Sequence, residues 1–221
     1  MRRFLLIGLV GAALAAAWRG VVTPWHRRWG ATDEELQMSL PGDGHVGEPA
    51  DQVTRAITID APPEDVWPWL LQLGADRGGF YSYESLENLF GLGIHNSDVI
   101  APEWQQRAVG DLVFADAKGS GGWYVMELVP GEALVLKVAD VKAERPLRRD
   151  EQLRWEFLWA FVVIPEPGGR SRLVVRERTG FGSQLTGLVM APVGFVSFVM
   201  TQKMLRGIKV RAEAVTGAIA R

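Results

Sequence analysis

With three histidines and no cysteines, this chain has few means of metal or nucleophilic chemistry. The lack of cysteine excludes disulfides, thiolate catalysis and cysteine zinc sites. His26, His45 and His95 are too scattered for an H-E-x-x-H pair or any spaced ligand set, so no metal site is expected. There is no glycine-rich dinucleotide or phosphate loop and no G-x-S-x-G turn, and no cofactor is expected. One acid–base pairing remains. Asp98 follows His95 by three residues, and a carboxylate at that spacing can orient an imidazole for proton transfer. The plainer reading is a loop histidine making local hydrogen bonds, and no catalytic residue is assigned. Glu84, Asn88 and Glu156 are the other polar groups able to converge on a ligand.

The aromatic residues say more. Nine tryptophans are many for 221 residues, and rings in such numbers fill cores, line pockets or sit at membrane interfaces. Tyr81, Tyr83, Trp104, Trp123, Trp159 and Phe161 are the expected ligand-lining rings. Met200 and Met204 would add adaptable apolar contacts, although methionines at helical spacing also serve as plain core.

The elements that would position these residues follow from periodicity. Thr54 to Asp60 alternates, with Ile57 and Ile59 on one face of a strand. Ala61-Pro62-Pro63-Glu64-Asp65 opens a helix whose apolar face is Val66, Trp67, Leu70, Leu71 and Leu73, with Pro68 inside it. Ser82 is placed to cap a short helix carrying Leu86, Leu89 and Phe90. Asp111 to Ala115 reads as a strand, and Gly122–Val129 with Glu132–Ala139 as a hairpin across Pro130-Gly131. Leu153 to Ile164 is a long strand with Leu153, Trp155, Phe157, Trp159, Phe161 and Val163 on its core face, and Arg172 to Thr179 follows after a turn. No residue from Thr179 to Gln202 is charged. Its glycines and Pro192 favour a covering loop, then the first turns of a long helix, over a membrane span. That helix carries Val196, Met200, Met204, Ile208, Ala212, Val215 and Ile219 as one stripe. Strands followed by a covering helix indicate an α+β fold.

Ahead of this domain, Arg2 and Arg3 precede an uncharged run from Phe4 to Trp18, and Gly20 to Trp25 is again uncharged. A span needs about 20 apolar residues, reached here if Arg19 snorkels. A cleaved signal peptide with Ala15-Ala16-Ala17 before its cleavage site is the competing reading. The expected organisation is an N-terminal single-pass membrane anchor or signal-like helix over 1–29, a linker over 30–52 and the folded domain over 53–221. A formal charge of -2 without a basic stripe makes nucleic acid an unexpected partner.

The order of elements resembles the helix-grip fold of the START-like, polyketide cyclase-like (SRPBCC) superfamily. The phrases Trp25-His26-Arg27-Arg28-Trp29-Gly30-Ala31-Thr32-Asp33-Glu34-Glu35, Ile59-Asp60-Ala61-Pro62-Pro63-Glu64-Asp65-Val66-Trp67-Pro68-Trp69-Leu70, Gly79-Phe80-Tyr81-Ser82-Tyr83-Glu84 and Met204-Leu205-Arg206-Gly207-Ile208-Lys209 look like a bacterial subgroup of it. The resemblance implies a curved antiparallel sheet wrapped around a long C-terminal helix, with an elongated apolar cavity between them. It brings no catalytic residues. The function expected is a membrane-tethered binding or carrier module for a hydrophobic, lipid-like or polycyclic small molecule, with a cyclase- or dehydratase-type enzyme as the alternative.

Overall fold

The computed structural model describes residues 11, 13, 16–147, 155–181 and 184–219, with the backbone alone at 155, 181, 184–193 and 219. A wide helical turn, Trp18–Val22, leads into α1 (Thr23–Arg27), and α2 (Asp33–Gln37) follows. Then come β1 (Asp51–Ile59), α3 (Pro63–Leu71), α4 (Glu84–Leu89), β2 (Leu112–Phe114), β3 (Gly122–Val129), β4 (Ala133–Asp140), β5 (Arg145–Pro146), β6 (Trp155–Glu166), β7 (Arg170–Phe181) and α5 (Gln184–Ile219). The strands form one curved antiparallel sheet in the order β1-β7-β6-β4-β3-β2, with the short β5 paired to β4. The architecture is α+β, and α5 packs on β1, β7 and α3.

Alternation decides which side chains face α5. On β7, Leu173 and Val175 face inward, while Arg172, Val174, Arg176 and Arg178 face outward. On β6, Trp159, Phe161 and Val163 face inward, in register with Leu136, Leu134 and Leu173 of neighbouring strands. Leu153 of the expected row lies outside the described residues. The core is completed by Trp69, Leu70 and Leu73 from α3 and by Met204, Leu205, Ile208 and Ala212 from α5. Near its start the buried stripe of α5 is shifted from the expected one. Phe198 and Thr201 are buried and Val196 is exposed, because Phe198 packs on Trp25, His26 and Trp29.

α5 also begins earlier than expected. Instead of a loop to about residue 195, the helix runs from Gln184 through Gly187, Pro192 and Gly194. Tertiary packing overrides local breakers when a long helix lies along a sheet. α4 carries no side-chain cap, and Ser82 instead donates to the Met200 carbonyl at 3.0 Å. Leu89 and Phe90 are 76% and 77% exposed.

The segment 30–50 lies on the outer face of the sheet as a strap, and residues 51–52 of the expected linker already belong to β1. Thr32 and Glu35 close a reciprocal capping box on α2, an arrangement contributing about 1 kcal/mol. Leu40 and Val46 are buried against outward-facing apolar residues of the sheet. Glu35 binds Arg172 at 2.6 Å, and Asp43 binds Arg176 at 2.7 Å and Arg178 at 2.9 Å. Three arginines of one strand thus find their counter-charges in the strap.

The N-terminal expectation is corrected. Among the described residues no helix is long and apolar enough to cross a membrane. Residues 1–10, 12, 14 and 15, which carry most of the Phe4–Trp18 run, lie outside the described residues. The described remainder consists of short helical pieces broken at Arg28. Trp18 meets Phe195 at 5.1 Å and Trp25 meets Phe198 at 5.1 Å, while both tryptophans stay about half exposed. The expected single-pass anchor, and with it the membrane as a partner and as a location, is therefore not supported by the described residues.

Candidate functional site

The inner face of the sheet has a fully buried stretch and a partly open one. Phe161, Val163, Leu173 and Val175 are sealed. One step along the same face, Trp123, Phe157 and Trp159 retain solvent access. Cross-strand register sets them side by side: Trp159 opposes Leu136 on β4 and Glu177 on β7, and Trp123 opposes Val138. The rings form one cluster around Trp159. Its centroid lies 5.4 Å from Trp123, 6.3 Å from Phe157, 4.8 Å from Phe161 and 6.3 Å from Phe80, the last pair stacked at 26°. Phe80 arrives from the glycine-aromatic turn, which Asn96 holds by accepting from the Phe80 amide at 3.1 Å and from the Tyr81 amide. The indole Nε1 of Trp159 is buried and has no hydrogen-bond partner among the described residues.

Beside this cluster lies a buried ion pair that sequence reasoning missed. Arg55 Nη1 donates to Glu177 Oε1 at 2.7 Å, both residues being buried. Thr201 and Ser197 of α5 donate their hydroxyls to the same carboxylate at 3.1 and 3.2 Å. Arg55 Nε donates to the carbonyl of His26 at 3.0 Å, and its guanidinium lies over the Phe198 ring. His26 is only 6% exposed and its Nδ1 is unpartnered among the described residues. Burial, then the charges of Arg55 and Arg27, hold its imidazole below the ordinary value. The signal for this pair was present in the alternation. Arg55 is in phase with Ile57 and Ile59, and Glu177 with Leu173 and Val175.

Trp123, Trp159 and Phe161 are therefore brought together, and the other expected lining residues are not. Tyr81 is buried between α3 and α5. Its hydroxyl donates to the Trp69 carbonyl at 3.1 Å, and burial pushes its phenol well above the usual range. Its backbone sits at φ 56°, and a Cβ at Gly207 would run into its carbonyl oxygen. Tyr83 is exposed beneath the Lys203 ammonium. Trp104 is half-buried in a turn where its carbonyl accepts from Arg77 at 3.0 Å. Met200 is half-buried near Ser82, and Met204 is core.

The candidate acid–base pair lies at the surface. His95 is exposed, and Asp98, with a side chain 86% exposed, binds Arg211 at 2.6 Å. Glu84 accepts from the Asn96 amide, and Asn88 closes the loop to Ile94 through two hydrogen bonds. Glu156 alternates with Phe157 and so faces outward, where it meets Lys137 at 3.4 Å. Glu87, buried on α4, is a carboxyl with a raised proton affinity. Burial, with the nearby Glu84 charge, pushes it up to about 7. Among the described residues no cluster of groups could hold a metal ion.

No family model matches the chain, and no curated protein matches it. Solved structures with a similar course include a hypothetical protein from Helicobacter pylori, at 14% identity and a TM-score of 0.49, covering 80% of this chain and 96% of that one. A protein from Mesorhizobium loti is 15% identical with a TM-score of 0.41, over 74% of this chain and 98% of that one. An HSP90 activator from Plasmodium falciparum is 15% identical with a TM-score of 0.40, over 72% of this chain and 94% of that one.

Proposed function

We propose that this chain is a binding or carrier module for a hydrophobic small molecule, lipid-like or polycyclic, held between the inner face of the sheet and α5 in the manner of a START-like, polyketide cyclase-like helix-grip domain. The observation that supports it is the half-open aromatic cluster of Phe80, Trp123, Phe157 and Trp159 on a face otherwise buried. Small-molecule sites are mostly apolar, with few polar groups fixing orientation. The outer face, by contrast, is already covered by the strap. A cyclase or dehydratase would need a group able to move a proton among these rings, and His95 and Asp98 are placed elsewhere.

The test is titration with the neutral apolar dye N-phenyl-1-naphthylamine, followed by its fluorescence. The reading predicts a saturable rise with one site per chain and a Kd on the order of micromolar. Trp159→Ala and Trp123→Ala should weaken it, while His95→Ala leaves it unchanged. A signal that does not saturate, or that is indifferent to both tryptophan substitutions in folded protein, contradicts the reading.

A further inference from the structure

We propose that the molecule bound is an uncharged, flat ring system carrying a hydrogen-bond-accepting oxygen, and that the indole N–H of Trp159 receives that oxygen. This rests on the binding function proposed above and names its ligand class.

An indole nitrogen only donates, so a buried one without a partner is a specific demand for an acceptor. Trp159 Nε1 is such a donor, inside a wall made of Phe80, Trp123, Phe157 and Phe161. The nearest carboxylate in register, Glu177 on the adjacent strand, is committed elsewhere. Its Oε1 accepts from Arg55 and Thr201, and its Oε2 accepts from Ser197. Trp69 has a second unpartnered indole nitrogen, but that residue is sealed in the core against Tyr81. Trp159 keeps an open side, so an incoming molecule can reach its neighbourhood.

The charge of the ligand follows from the same neighbours. Arg55 is the cation close to this face, and Glu177 neutralises it at 2.7 Å. A ligand carboxylate or phosphate would find Arg55 already paired and be set beside the Glu177 carboxylate, and burying a charge without a partner is costly. A ligand ammonium would meet the faces of these rings but offers no acceptor to the indole N–H. Shape follows from the partly open rings Trp123 and Trp159: a rigid planar guest stacks on them and loses little conformational freedom on binding.

Three tricyclic probes separate these demands: fluorene, fluorenone and the fluorene carboxylate. They are titrated against the wild-type chain and Trp159→Phe, which keeps an aromatic ring and removes the donor. Wild type should bind fluorenone about tenfold more tightly than fluorene, the effect of one hydrogen bond to an otherwise unpaired buried donor. The carboxylate should bind most weakly. Trp159→Phe should bind ketone and hydrocarbon equally, whatever its absolute affinity for fluorene. In nitrogen-15 tryptophan-labelled wild type, one indole N–H resonance should move on adding fluorenone and stay in place with fluorene. This last measurement holds even if Trp159→Phe fails to fold. Equal affinity for ketone and hydrocarbon in wild type overturns the inference while leaving the binding function intact, as does a ketone preference that survives in Trp159→Phe. If none of the probes binds wild type, the binding function falls, and this inference with it.

Discussion

At the scale of single residues, the charges inside the fold determine how the chain answers mutation and pH. Removing either member of the Arg55–Glu177 pair leaves the other buried without a counter-charge, so Arg55→Ala or Glu177→Ala should each cost about 3–5 kcal/mol in urea unfolding. Replacing both together, as Arg55→Met with Glu177→Leu, should cost much less than the sum. Additive single losses would contradict the pairing. Glu87 predicts a pH effect of definite sign. Its native carboxyl keeps a proton up to about pH 7, while the unfolded chain releases it near 4.5. Between those values the native state binds the additional proton, so stability is fully present below the window and declines as pH rises through it. Glu87→Gln should flatten that decline and exceed wild type by about 1–3 kcal/mol above pH 7. Equal slopes for the two proteins would count against the assignment.

At the scale of elements, the strap and α5 carry the testable weight. Burial alone would raise the Glu35 carboxyl, but hydrogen bonds from Arg172 and Thr32 outweigh it and hold it below its ordinary 4.5. The stability it contributes is therefore present above that value and lost as pH falls below it. Glu35→Gln should cost about 1–3 kcal/mol at neutral pH and make residues 36–50 the first site of limited proteolysis. A cleavage pattern identical to wild type would show that the strap does not depend on this contact. Gly207→Ala places a Cβ against the Tyr81 carbonyl and should cost about 1–3 kcal/mol, with no loss if the turn can move aside. These elements also separate what could be read from sequence from what could not. The hairpin across Pro130-Gly131 and the inward row of β6 were legible because alternation is a local signal. The start of α5 was not, since Gly187, Pro192 and Gly194 read as breakers and only packing overrides them. Trp18 and Trp25 looked like an interfacial belt, because hydropathy does not say whether a ring meets lipid or Phe195 and Phe198.

At the scale of the whole molecule, the sheet divides the chain's chemistry between its two faces. The outer face is closed by the strap and its ion pairs, and the inner face holds an aromatic cluster beside a neutralised charge pair. The α+β arrangement was legible, but nothing in the sequence singled out Trp123, Trp159 and Phe161 from the other expected lining residues. Alternation puts Arg55 and Glu177 on the inner face, but their pairing was not legible, because they are 122 residues apart and charged residues ordinarily signal solvent. Tyr83 is exposed and Trp104 half-buried, because composition counts rings without saying which turn carries them. The central claim, that the inner face holds an apolar small molecule, is tested most directly by native mass spectrometry of the purified chain, with organic extraction of whatever remains bound. The account predicts a one-to-one adduct that is removed by extraction, is restored by adding fluorenone and is absent in Trp159→Ala. A bare chain that takes up no fluorenone would contradict it.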